Sequence, residues 1–197
     1  MLITNDLDQL MQKVDLQGWG TFTLDQTLLN QLLIRFNEIE SLNQLRPALI
    51  TQSTEVDSSL AIRNDFIHWL SFDQPAECEL ESLLQKLQLH LKNYFRISLT
   101  HFECHFALYP AGHFYKTHID QTQHDNKRFF TFVIYLNPSW EVENGGQIVG
   151  YEDFSEKSKL FEILPTAGTV IIFQSHIPHE VKISNKTRRS ITGWFRT

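Results

Sequence analysis

The chain has 197 residues, 42% of them hydrophobic and 15 of them phenylalanine, which suits one domain with its own buried core and excludes a disordered segment. Its formal charge is -6 and no run of Lys or Arg exceeds two residues, so the basic footprint of a nucleic-acid-binding protein is missing. The opening MLITNDLDQLMQKVDLQGWG lacks the basic and apolar regions of a signal peptide, and no stretch approaches a membrane span in length, so a cytoplasmic protein is expected.

In chain order, TLDQTLLNQLLIRFNEIESLNQL puts Leu28, Leu29, Leu32, Leu33 and Phe36 on one helical stripe, with Thr23 or Asp25 as the N-cap. The next segment, ALITQSTEVDSSLAIRNDFIHWL, is strand-like at its ends and polar in its middle, and Thr51 to Ser59 reads as a mobile loop. A second helix is expected over AECELESLLQKLQLHLKNYF, where Leu80, Leu83, Leu84, Leu87 and Leu91 recur at helical spacing. After residue 100 the pattern becomes β-rich: CHFALYP, RFFTFVIYLN, QIVGYE, KLFEIL, TVIIF, HEVKIS and RRSITGWFR. Seven or eight strands at this spacing predict an all-β barrel or sandwich with the helices on one outer face. Residues 1–100 would be helical support and a substrate-side loop, and residues 101–197 the core. Cys78 and Cys104 are too few for a cysteine zinc cage and are expected as buried thiols, not a disulfide.

The chemistry concentrates in YKTHIDQ and SHIPHEVKIS. Along a strand, His118 and Asp120 would point to the same side, and His179 supplies a second imidazole downstream. Two histidines and a carboxylate on one face of a metal leave positions open, the arrangement of non-haem Fe(II) oxygenases, although zinc accepts the same ligands. His176 is the competing histidine. In RRSITGWF, parity turns Arg188, Ser190, Thr192 and Trp194 to one face and Arg189 to the other. A guanidinium turned into a barrel requires a carboxylate partner, which a dicarboxylate cosubstrate would supply.

From Tyr109 to Trp194 the chain resembles the 2-oxoglutarate and Fe(II)-dependent oxygenases, most closely the prolyl hydroxylases and their bacterial relatives. The resemblance rests on Tyr109, the His118 and Asp120 pair, Tyr135 in YLN, the ENGGQ glycines, LPTAGTVIIF, PHEV and TRRSITGWF, and more thinly on IRNDFIHWL upstream. It implies a mainly β protein with N-terminal helices, built on a double-stranded β-helix or jelly roll. It also implies Fe(II) held by His118, Asp120 and His179, and 2-oxoglutarate whose distal carboxylate is bound by Arg188 and Tyr135. Tyr109 would lie beside the metal, with Thr192 as a further inward cosubstrate contact. The implied reaction consumes O2, releases succinate and CO2, and hydroxylates an unactivated C-H bond, with ascorbate as a possible reductant.

Further readings concern the surroundings of the site. His113 and His124 are expected as solvated loop residues, Gly145 and Gly146 as a turn of positive φ, and Arg63 with Asp65 as either an ion pair or a substrate-side contact. Asn64 stands where the resembling proteins commonly have Gly. The resemblance points to a prolyl residue of a cytoplasmic protein as substrate, with a translation elongation factor as first candidate. Hydroxylation of a small molecule or free amino acid is the alternative, and a non-catalytic iron or 2-oxoglutarate binding protein is a third reading.

Overall fold

A computed structural model describes residues 4–48, 62–121 and 126–197. The expected loop over 51–59 and His124 lie outside the described residues. In chain order the elements are α1 (Thr4–Gln17), β1 (Trp19–Thr23), α2 (Gln26–Ser41), β2 (Arg46–Pro47), β3 (Phe66–Trp69), α3 (Pro75–Phe95), β4 (His101–Tyr109), β5 (Tyr115–His118), β6 (Arg128–Tyr135), β7 (Ile148–Tyr151), β8 (Lys159–Ile163), β9 (Thr169–Gln174), β10 (His179–Val181) and β11 (Arg188–Arg196). Asp25 caps α2, accepting from the Thr27 amide at 3.0 Å. α3 starts with Pro75, whose missing N–H costs nothing at that end, and stops at Arg96 in the left-handed region.

Two antiparallel sheets face each other. The larger has the order β1-β9-β6-β11-β4-β3-β2 and the smaller β5-β10-β7-β8, the jelly roll expected from the strand pattern. Strand alternation divides the large sheet into two faces. Cys104, Phe106, Phe130, Phe132, Ile134, Val170, Ile172, Ile191 and Phe195 form one continuous core with the leucine stripes of the helices. Val133, Tyr135, Ile171 and Phe173 point the other way, toward Ile148, Phe161 and Ile177. Gly193 permits close approach on the helix side, where an added Cβ would lie 2.4 Å from the Phe132 ring and 2.5 Å from the Cys104 Cβ.

Two expectations need correction. Cys104 is buried, with its thiol pKa pushed well up by burial, but Cys78 is exposed on the first turn of α3 and donates to the Phe72 carbonyl at 3.2 Å. The opening segment, read only for the absence of a signal, forms α1 and β1. Leu7, Leu10, Met11 and Val14 bury one face of α1, and β1 extends the large sheet by pairing with β9. Among the described residues no helix is long and apolar enough to cross a membrane.

Candidate active site

β5 and β10 bring the two histidines together, for His118 and His179 are direct cross-strand partners. Each ring is held through its Nδ1, His118 on the Lys116 carbonyl at 2.8 Å and His179 on the Ile177 carbonyl at 2.9 Å. That leaves both Nε2 atoms facing Asp120, 3.7 Å from Oδ1 and 3.5 Å from Oδ2 respectively. The three ligand atoms lie within 4.8 Å of one another and could hold a metal ion. Fixing one imidazole nitrogen on a carbonyl sets the tautomer in which the other is free to ligate. His176 is exposed at a separate hollow beside Tyr151 and Pro178, so His179 is the histidine of this cluster.

Strand parity is not what places Asp120. β5 ends at His118, and Asp120 lies on the bend that follows. The amides of Asp120 and Gln121 both donate to the Ser175 carbonyl at 3.0 Å, anchoring that bend to the end of β9. Thr131 donates its hydroxyl to Asp120 Oδ2 at 2.8 Å and shares a 2.8 Å hydrogen bond with the Ser175 hydroxyl. Burial opposes ionisation of Asp120, yet the adjoining His179 and His118, with Trp194 and Thr131, hold its pKa down to about 2. Burial, followed by His179, holds the His118 pKa down to about 3. At neutral pH Asp120 is therefore a carboxylate and His118 a neutral imidazole, the forms that ligate metal.

The pocket above this cluster is lined by Arg188, Tyr109, Thr192, Trp194, Arg63 and Tyr115, among others. Arg188 is 1% exposed. Its Nε donates to the Gly146 carbonyl at 2.9 Å and its Nη1 to the Ser190 hydroxyl at 3.1 Å. Its Cζ lies 5.0 Å from the Tyr109 ring and 5.1 Å from the Tyr135 ring. No carboxylate among the described residues pairs with it. Gly146 has φ +69°, and a Cβ there would lie 3.1 Å from Arg188 Cδ, so glycine both makes the turn and leaves room for the guanidinium. Arg189 faces the helices and forks onto Glu40, as parity required.

Tyr135 is fully buried and its hydroxyl makes no hydrogen bond of good geometry. Burial pushes its pKa up to about 12 despite the nearby Arg188 charge. Trp194 Nε1 lies near Asp120 but is likewise left without a well-formed bond. A buried cation with no counter-anion among the described residues, next to a phenol without a well-formed hydrogen bond, fits the distal carboxylate of a dicarboxylic acid.

The sequence reading did not single out Tyr115, whose ring stacks on His118 with centroids 3.6 Å apart. Arg63 also lies over the Tyr115 ring, its Cζ 4.9 Å from the centroid, and it forks onto buried Asp65 at 2.6 and 3.0 Å. The ion pair thus exists, and its arginine lines the pocket as well. Thr131 and Ser175 were also missed, and Gly146, correctly expected as a turn of positive φ, was not foreseen as a neighbour of Arg188, because these contributions are contacts made across the fold. His113 is not a free loop residue: its ring contacts the Asn64 carbonyl and stacks on Phe66. Asn64 also accepts from the Phe114 amide at 2.8 Å, which gives its side chain a part in bracing the approach to β5. A larger apolar hollow lined by Leu7, Phe22, Leu28 and Leu83 contains none of the triad residues.

Known proteins place this geometry. Residues 104–196 match the 2OG-Fe(II) oxygenase superfamily. A prolyl-4-hydroxylase from Pseudomonas putida is 31% identical, with 97% of this chain and 99% of that one covered and a TM-score of 0.85. The prolyl hydroxylase EGLN3 of Homo sapiens is 28% identical over 176 residues, 83% of this chain and 71% of the human protein. A Trichoplax adhaerens prolyl hydroxylase, in complex with a hypoxia inducible factor oxygen degradation domain peptide fragment, shares the fold at a TM-score of 0.85 and 24% identity, covering 96% of this chain and 88% of that one. The chain belongs to the 2OG-Fe(II) oxygenase superfamily and is a prolyl hydroxylase-like, 2-oxoglutarate-dependent dioxygenase.

Proposed function

We propose that this dioxygenase hydroxylates a prolyl residue within a polypeptide, with Fe(II) on His118, Asp120 and His179 and the distal carboxylate of 2-oxoglutarate on Arg188. The observation that carries the reading is the pairing, in one pocket, of the metal-ligand cluster with a buried arginine that has no carboxylate among the described residues. Iron held there would, with 2-oxoglutarate and O2 as cosubstrates, supply the oxidation of an unactivated C-H bond, one oxygen atom passing to the substrate and the other to succinate as CO2 leaves. The protein's own residues do the rest. The Lys116 and Ile177 carbonyls aim the two Nε2 atoms, and Thr131 orients Asp120. Gly146 and Ser190 fix the arginine fork, leaving its remaining donors for an incoming carboxylate. Tyr135 adds a phenol that needs a partner, Tyr109 packs against the guanidinium, and Thr192 lines the same wall.

For the substrate, support comes from likeness to the Pseudomonas putida prolyl-4-hydroxylase over nearly the whole of both chains, and from the peptide-bound state of the Trichoplax adhaerens protein. Next to the pocket-lining Trp194, with ring centroids 6.3 Å apart, stands a half-exposed Trp69, an aromatic edge suited to a proline-containing segment. A translation elongation factor in the cytoplasm remains the first candidate, and ascorbate the first reductant to try. The test is anaerobic loading with Fe(II) and 2-oxoglutarate, admission of air, and mass spectrometry of host-lysate proteins for a one-oxygen gain at proline. Oxidation of a metabolite or free amino acid with no gain on protein would replace this reading by the small-molecule one.

A further inference from the structure

His105 lies on β4, on the same inward face as Tyr109, and is 1% exposed. It lines the pocket. Its ring packs edge-on to Trp69, with centroids 4.9 Å apart, and 5.5 Å from the Trp194 ring. Its Nδ1 is buried and has no hydrogen-bond partner among the described residues. Leaving such a group unpaired costs about 1–3 kcal/mol. Packing between two indoles does not require a nitrogen, since a phenyl ring would fill the same gap without that cost.

Register locates the missing partner. The inward residues of β11 run Arg188, Ser190, Thr192, Trp194, and His105 is the cross-strand partner of Thr192 on β4. On the other side of β11, Thr131 is the partner of Trp194, and Thr131 is the residue bonded to Asp120. His105 therefore stands between the guanidinium level and the metal level, one step short of the triad. A molecule extended from Arg188 to the metal passes it.

We propose that His105 is a further contact for the 2-oxo acid, its Nδ1–H donating to an oxygen at the metal-proximal end of 2-oxoglutarate. The inference rests on 2-oxoglutarate lying between Arg188 and the triad. Burial, with the Arg63 charge added, holds the His105 pKa down to about 3. The ring is thus neutral, with a single proton that must sit on Nδ1 to meet an oxygen acceptor.

The test uses the full chain with metals that bind without turnover. With Mn(II), calorimetric titration of 2-oxoglutarate compares wild type, His105→Phe and His105→Gln. With Zn(II) and 15N-labelled imidazole, NMR follows the His105 ring nitrogens as 2-oxoglutarate is added. Nδ1 of the wild type should take the shift of a protonated, hydrogen-bonded nitrogen on addition of the oxo acid. His105→Phe should bind about tenfold to a hundredfold more weakly, the range for a hydrogen bond to a charged group, and His105→Gln should recover most of that loss. Wild-type affinity in His105→Phe, or an Nδ1 shift that ignores 2-oxoglutarate or answers only to added peptide, overturns the inference while the cosubstrate reading stands. Wild type that binds Mn(II) but not 2-oxoglutarate takes down both. The NMR arm needs no variant and decides the matter even if His105→Phe fails to fold.

Discussion

The two faces of the large sheet are both buried but are built to opposite rules. Toward the helices, Phe106, Phe132, Ile134, Ile172, Ile191 and Phe195 pack with no polar atom to satisfy. Toward the pocket, the same strands bury His105, Thr131, Tyr135, Arg188 and Trp194, and leave the His105 Nδ1, the Tyr135 hydroxyl and the Trp194 Nε1 without a well-formed hydrogen bond among the described residues. The first face gains from every contact it makes. The second carries desolvated polar groups whose cost only a ligand offsets. Stability is therefore drawn mainly from one side of a strand and function from the other, so substitutions on neighbouring residues should separate the two.

The sharpest separation is at the metal end. Asp120→Ala or His179→Ala should abolish 2-oxoglutarate turnover while circular dichroism and the unfolding midpoint stay close to wild type, because each removes a ligand from an otherwise packed barrel. His176→Ala should keep full turnover. Retention of turnover in either triad variant would reject the assignment. On the helix side the opposite result is expected. Phe132 is fully buried, its ring 5.2 Å from that of Phe195, so Phe132→Ala should cost about 3–5 kcal/mol of stability in urea unfolding. The surviving folded fraction should retain near-normal 2-oxoglutarate affinity; a loss of affinity as large as that of a pocket variant would show that the two faces are not separable.

Arg188→Ala comes next. Removing one partner of a buried charge pair costs about 3–5 kcal/mol, so 2-oxoglutarate should bind roughly two to three orders of magnitude more weakly at 1.4 kcal/mol per tenfold. Calorimetry with Mn(II) in place of Fe(II) reads this directly, and an unchanged affinity would remove Arg188 from the cosubstrate site.

A smaller effect comes from acid. Burial holds both His105 and His118 down to about 3 in the folded chain, whereas an unfolded histidine titrates near 6.5. Between those values the unfolded state binds protons that the folded state does not, so stability falls as pH drops below about 6.5. By pH 5 the loss should be about 2 kcal/mol for His105, and less for His118, whose side chain is 16% exposed. Asp120, held down to about 2, stays ionised in both states across this window and adds nothing to the slope. Urea midpoints of the metal-free protein at pH 7 and pH 5 check the sum, and His105→Gln should flatten the slope. A pH-independent midpoint would mean that these rings titrate in the folded chain as they do in the unfolded one.

How much of this was legible varies with the range of the interactions. The alternation in RFFTFVIY and RRSITGWFR declares which residues face inward, because a strand's period of two is a local property, so Tyr135, Arg188, Thr192 and Trp194 could be placed from sequence. The same parity on HFECHFALY would have turned His105 inward with Tyr109. It was passed over because a histidine among aromatic and aliphatic neighbours carries no spacing signal of its own. The leucine and methionine spacing of α1 was equally available. β1 was not, since it exists by pairing with β9, about 150 residues away in sequence. Nor could the bend at Asp120 be read, as it depends on a carbonyl at Ser175 that any residue could have provided.

The smallest expected effect tests the comparison at a single peptide bond. Arg189 adjoins Arg188 but turns to the helix side, where its guanidinium forks onto Glu40 of α2 at 2.9 to 3.1 Å and lies 5.9 Å from the Phe36 ring. Both side chains of that ion pair remain about a third exposed, so water and salt screen it and its worth is about 0–1 kcal/mol. Arg189→Ala should therefore lower stability by no more than that, and less at high salt. A double-mutant cycle with Glu40→Gln should give a coupling energy in the same range. Affinity for 2-oxoglutarate should stay within about 0.5 kcal/mol of wild type, as for other surface changes, because the Arg189 guanidinium is on the far side of the sheet from the pocket. If Arg189→Ala weakened 2-oxoglutarate binding as much as Arg188→Ala does, the inward and outward faces of β11 would have been assigned the wrong way round, and the division of labour between the two faces would fail with them.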